Sequence, residues 1–289
     1  KVKTALLQSD GHRRKKALLS VFIILACSAC LCAGFAIGRY ADDLPVFSAQ
    51  SGVEFEEPLI EQAVRLTLHK TENEPITETD LLSVNELYIY GDQAAEDAKA
   101  FEALGEHMVK NDGVVKNGGI SSLEDLKKLK NLRVLHITLE DIGDLSPLSS
   151  LFVLESVDLR HNPITDVSPL ASMTALQSLS LFGTRVTDLS MLAGCPLLSD
   201  VDVGKTLVTS MDALQGLKSL KSLSMRDAPL TTLSGIENFT YLEKISLTHV
   251  ADGSLKPLLE LPNLKEAALG ETLRQQAEND LKQAGFLIS

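Results

Sequence analysis

Residues 132–153 read LRVLHITLEDIGDLSPLSSLFV and residues 154–175 read LESVDLRHNPITDVSPLASMTA. The two lines superpose without a gap: Leu132 falls on Leu154, Leu135 on Val157, Ile137 on Leu159, Ile142 on Ile164 and Leu148 on Leu170. The register continues at Leu176, Leu198, Leu220, Leu242 and Leu264, each 22 residues after the last. Apolar positions held at one interval mark stacked supersecondary units, each burying its apolar face against its neighbours. Within a unit, Leu-x-x-Leu-x-Ile suits a short strand whose side chains alternate between faces. Leu179 and Leu181 then point inward, while Ser178, Ser180 and Phe182 point outward.

Composition agrees with this reading. Apolar residues make up 44% of the 289, but aromatics only 4% and Trp is absent, so the core is aliphatic. Charge is divided along the chain. Residues 1–16 carry Lys1, Lys3, Arg13, Arg14, Lys15 and Lys16 against Asp10 alone, while the rest holds 21 basic and 38 acidic residues. Phosphate binding needs a basic footprint, so this acidic body argues against a nucleic-acid partner. It is equally the ordinary surface of an acidic soluble domain.

Residues 17–38, ALLSVFIILACSACLCAGFAIG, run 22 residues without a charge. A helix of that length spans about 33 Å, enough for a bilayer core of about 30 Å. Arg13 to Lys16 abut its start, and Asp42 and Asp43 follow its end. The positive-inside rule then places residues 1–16 in the cytoplasm and the repeats outside, at the surface of a plasma membrane crossed once. Two alternatives are a cleaved signal peptide and a lipoprotein box at Ile24-Leu25-Ala26-Cys27 with Cys27 lipid-bearing, although the run stays apolar well past Cys27. Cys27, Cys30 and Cys32 all lie here, which leaves Cys195 alone in the body and no internal disulfide. Cys195 stands where other units have Leu or Met, so it reads as a buried apolar thiol.

After a linker at 39–52, a helical cap is expected over 53–83. Pro58 opens a helix with Ile60, Ala63, Val64 and Leu68 on its apolar stripe, and Thr77-x-x-Asp80 has a capping pattern. Val84, Leu87 and Ile89 match Leu132, Leu135 and Ile137, so repeats are expected over 84–270. An insertion at about 91–119 interrupts them. In it Ala94, Ala98, Phe101, Leu104 and Met108 have helical spacing, and turn residues flank Val114-Val115. Such an insertion is either part of a binding face or a shoulder over the first repeat. Residues 271–289 read as a closing cap: a helix through Leu273, Ala277, Leu281 and Ala284, Gly285 as its C-cap, and Phe286-Leu287-Ile288 over the last repeat.

The unit Leu132-x-x-Leu135-x-Ile137 followed by Ile142-x-Asp144-Leu145-x-Pro147-Leu148 resembles the 22-residue leucine-rich repeats of bacterial internalins. Ile164-x-Asp166-Val167-x-Pro169-Leu170 and Val186-x-Asp188-Leu189 carry the same pattern, and the resemblance covers residues 53–289. It implies an α/β fold: a right-handed leucine-rich repeat solenoid, horseshoe-shaped, with a helical N-terminal cap, strands on the concave face and 3₁₀ segments opposite. It also implies protein binding rather than catalysis. One column departs from the family. Where Asn is usual the chain has Glu140, Asn162, Thr184, Thr206, Ala228 and Val250, so the turn backbone of later repeats needs water or other partners.

No phosphate loop, nucleophile elbow or zinc-spaced His or Cys set is present, so neither catalysis nor a metal or cofactor is expected. His136, His161 and His249 read as exposed and unrelated, and Asp158 and Asp202 stand about 10 Å apart, too far to share an ion. The expected ligand-binding surface is the concave face, through His136, Asp158, Arg160, Ser180, Phe182, Asp202, Ser224, Arg226 and Lys244. Phe182, Arg160 and Arg226 are of the types that anchor interfaces. The expected partner is a protein or cell-envelope ligand. A solvated serine-rich face that binds nothing is the competing view. Two further architectures remain open: the sensor half of a bacterial receptor-like Ser/Thr kinase, since the sequence starts at Lys1, and a structural adhesin or spacer.

Overall fold

The computed structural model describes residues 52–110, 113–282 and 284–289. The apolar run at 17–38, the basic segment before it and all but the last residue of the linker at 39–52 lie outside them. Among the described residues no helix is long and apolar enough to cross a membrane.

Two short helices begin the fold. Helix α1, Pro58–Thr67, starts with Pro where no hydrogen bond is lost and buries Ile60, Ala63 and Val64. Helix α2, Glu78–Leu81, carries the expected capping box, the Thr77 hydroxyl taking the Asp80 N–H while the Asp80 carboxylate takes the Thr77 N–H. Together they cover the end of the aliphatic stack, which continues without a break from Ile60 to Leu281.

The strands are β1 (Glu86–Tyr90), β2 (Gln93–Ala95), β3 (Val134–Thr138), β4 (Ser156–Asp158), β5 (Ser178–Ser180), β6 (Asp200–Asp202), β7 (Ser222–Met225), β8 (Lys244–Leu247), β9 (Glu266–Leu269) and β10 (Leu287–Ile288). They form one sheet in the order β10-β9-β8-β7-β6-β5-β4-β3-β1-β2, parallel throughout except for β2 on β1. Leu87 pairs with Leu135 and Ile89 with Ile137, so the first strand keeps the register of the repeats across the insertion. From β3 to β9 each partner lies 22 residues on, and Leu135, Val157, Leu179, Val201, Leu223, Ile245 and Ala267 form one buried row.

Opposite the sheet run 3₁₀ segments, among them Glu124–Lys128, Ser146–Ser150, Ser168–Leu170 and Ser190–Gly194. The repeated Asp explains three of them. Asp144, Asp166 and Asp188 each accept the N–H two residues on, at 2.8 Å, and so set the chain into its 3₁₀ turn. A second device closes β1 and β3 to β7. Gly91, Leu139, His161, Gly183, Lys205 and Asp227 occupy one column and all have positive φ, between 50° and 73°. Only glycine takes that conformation freely, so four of these turns are held by their neighbours.

The insertion differs in part from expectation. Ala94 and Ala95 belong to strand β2, not to the helix, because the Tyr88–Tyr90 edge offers free backbone groups for antiparallel pairing. The helix, α3, spans Ala98–Lys110, and Phe101 is its buried residue. At the other end α4 spans Glu271–Asp280 and stops short of Gly285. Residues 287–288 add a strand to β9, but Leu287 is 63% exposed, so only Phe286 packs on the core as expected. Cys195 is buried and free, its Sγ 3.3 Å from the Leu170 carbonyl.

Candidate functional surface

The outward side chains of the sheet form ordered columns. One holds Tyr88, His136, Asp158, Ser180, Asp202, Ser224 and Ser246, matched pair by pair across β1 to β8. The next holds Tyr90, Thr138, Arg160, Phe182, Gly204, Arg226 and Thr248. The insertion was expected either to join this surface or to form a shoulder over the first repeat; its helix packs on the first strands.

Helix α3 lies over the first strands. Phe101 meets Tyr88, Tyr90 and His136 with ring centroids 5.1 to 5.9 Å apart, and Tyr88 meets His136 edge-on at 5.1 Å. His136, expected to be exposed, is instead half-buried in an aromatic cluster, with its Nε2 3.2 Å from the Ser156 hydroxyl. Burial pushes its pKa down, which favours the neutral ring. Burial also raises that of Tyr88, whose hydroxyl donates to Glu86 at 2.7 Å. Beside this cluster a cleft of about 440 Å³ opens between α3 and the sheet, lined by Tyr90, Phe101, Gly105, Val109 and Arg160. A Cβ on Gly105 would sit 3.3 Å from the Tyr90 ring, which accounts for a glycine in mid-helix.

Asp158 also departs from expectation. It is only 7% exposed, and both its oxygens are taken by the Arg160 Nε at 2.9 and 2.8 Å. Burial works against the Arg160 charge, but the Asp158 carboxylate outweighs it and holds the guanidinium above its ordinary pKa. The pair neutralises itself and offers a partner little net charge.

Phe182 is not a lone aromatic. It meets His161 edge-on at 5.3 Å, lies against Gly204, and has the Arg226 guanidinium 5.9 Å from its centroid. A Cβ at Gly204 would fall 2.7 Å from the ring and 2.8 Å from the Arg226 carbonyl, so that glycine is what lets the ring lie flat. The ring is a half-buried platform with its cation above it. Ser180 and Ser224 add no bulk, and their hydroxyl oxygens are buried without partners among the described residues.

Asp202 accepts the Gly204 N–H at 2.9 Å, and the Asp200 carboxyl is raised by burial and by its neighbour Asp202. Arg226 and Lys244 are exposed, and no ion pair holds either among the described residues. No group of three or more His, Cys, Asp or Glu there could hold a metal. The open part of the surface thus runs from Phe182 to Lys244. The covering of its other end was legible only in outline: Phe101 had helical spacing, but nothing local said that it faces His136.

Residues 153–194 match the family model for leucine-rich repeats, two copies. Comparison with the curated proteins gives no match. Among solved structures, internalin C2 of Listeria monocytogenes superposes with a TM-score of 0.63 at 23% identity, over 83% of this chain and 97% of internalin C2. The fold is that of a leucine-rich repeat solenoid. A leucine-rich repeat protein of Leptospira interrogans superposes with a TM-score of 0.52 at 18% identity, over 74% of this chain. This chain spans 51% of that protein's length.

Proposed function

We propose that the protein is a non-catalytic recognition module whose outward sheet surface, the expected concave face, binds a protein ligand. The reading rests on the Phe182 platform: an aromatic ring and two exposed cations, Arg226 and Lys244, amid small serines that leave room for a partner. Aromatic and arginine side chains in such settings carry most of an interface's binding energy.

We further infer that residues 17–38 anchor the chain in a plasma membrane with the repeats outside. The uncharged run and the four basic residues before it support that orientation. Protease added to intact cells then removes the repeats. Repeats that stay whole until the cells are lysed contradict the location but not the recognition surface. For that surface, the test is Phe182→Ala with Arg226→Ala in the full chain, with loss of on the order of 100-fold in affinity for a ligand recovered with the wild type. Unchanged affinity removes this surface from the reading.

A further inference from the structure

Glu140 occupies the column position that Asn162 fills one repeat later. Asn162 is fully satisfied there: its Oδ1 accepts the Ile142 N–H at 3.2 Å, and its Nδ2 donates to the Ile137 and Leu159 carbonyls, both at 3.0 Å. Glu140 reproduces the first half of this. Its Oε2 accepts the Ile120 N–H at 2.8 Å. Its Oε1 is buried with no partner among the described residues, and the whole residue is 6% exposed. A carboxylate there loses water on one oxygen and gains nothing for it.

Ile120 lies on the limb by which the insertion returns to the repeats. That limb packs directly on the carboxyl, since a Cβ at Gly118 would fall 2.1 Å from Oε2. Two more carboxylates hold the same limb by its backbone. Asp92 Oδ1 accepts the Lys116 N–H at 3.0 Å, and Glu57 Oε1 accepts the Ser122 N–H at 3.4 Å. Three acidic side chains, from the N-terminal cap, the β1–β2 turn and the first full repeat, therefore converge on one stretch of seven residues. Glu57 and Asp92 are the charged groups that face Glu140, and both are negative.

We propose that Glu140 is a pH-sensitive clasp on the insertion: with its proton it holds the limb 116–122 against the first repeat, and on losing that proton to water it lets the limb open. Burial above all raises the carboxyl from 4.5 to about 7; the Ile120 N–H pulls it the other way, and Glu57 and Asp92 add to the rise. The closed limb thus binds the proton more tightly than the open one. Closure is strongest at and below pH 4.5, weakens as pH rises towards about 7, and is constant beyond. Opening becomes roughly tenfold easier per pH unit within that window.

The test is hydrogen exchange on the full chain in detergent, read as protection factors for the Gly118 and Ile120 amides across the window, in wild type and in Glu140→Gln. The wild type is expected to lose on the order of 100-fold protection between pH 4.5 and 7 and none above, while the variant stays flat. A flat wild type, or the same fall in both proteins, overturns the clasp. Unequal protection of Leu223 in the two proteins would signal a damaged variant. In that case the ¹³C titration of the wild-type Glu140 carboxyl decides: a midpoint near 7 supports the clasp, and one near 4.5 overturns it.

Discussion

Asn162 does at one position what backbone geometry does elsewhere. It is 2% exposed and ties its own turn to the preceding repeat, satisfying the Leu159 carbonyl after β4 together with the Ile137 carbonyl of β3 and the Ile142 N–H beyond it. Asn162→Ala leaves these groups buried and unpaired, and a loss of about 3 kcal/mol is expected in denaturant unfolding. The later repeats manage with less. Thr184 and Thr206 each donate to the carbonyl three residues back, at 2.7 and 2.6 Å. The sequence left the turn backbone here to water or other partners, and did not show that these threonines are buried. The column of left-handed residues was not legible at all, because Leu139, His161, Lys205 and Asp227 lack the glycine that usually marks such a turn. Gly204 has a visible reason in the Phe182 ring beside it. Gly204→Ala should displace the Phe182 ring and cost about 1–3 kcal/mol, with the ring's NMR contacts to His161 lost.

At the scale of elements, the strands were readable because their period is fixed and their inward residues are aliphatic. The insertion was readable as a helix but not as a cover. Its docking is carried by Phe101 on Tyr88, Tyr90 and His136, a contact between residues far apart in sequence. Phe101→Ala should free α3, with a cost of about 3–5 kcal/mol. In a stack where each unit touches only its neighbours, that loss stays local. Amide exchange is therefore expected to rise in α3, β1 and β2 and to stay unchanged in β7 and β8. A uniform rise along the sheet would mean that the insertion is integral to the whole stack. The same locality explains why three of the nine expected contact residues stand apart: α3 covers His136, while Asp158 and Arg160 at its edge satisfy each other.

For the molecule as a whole, one aliphatic ladder from cap to cap supplies the stability. Leu179→Ala removes a fully packed rung from the middle and should cost roughly 2–5 kcal/mol in denaturant unfolding. The repeat period made the fold class plain from the sequence alone, since one aliphatic spacing recurs through seven units. The proposed recognition surface was less plain, because outward columns show which residues share a face but not which of them pair with each other. What remains open after that pairing runs from Phe182 to Lys244. A photo-reactive amino acid placed singly at Arg226 or Lys244, and as controls at Met191 or Leu259 on the 3₁₀ side, tests this directly in irradiated cells. The account predicts one discrete protein adduct from Arg226 and Lys244 and none from Met191 or Leu259; adducts from the 3₁₀ positions alone would contradict it.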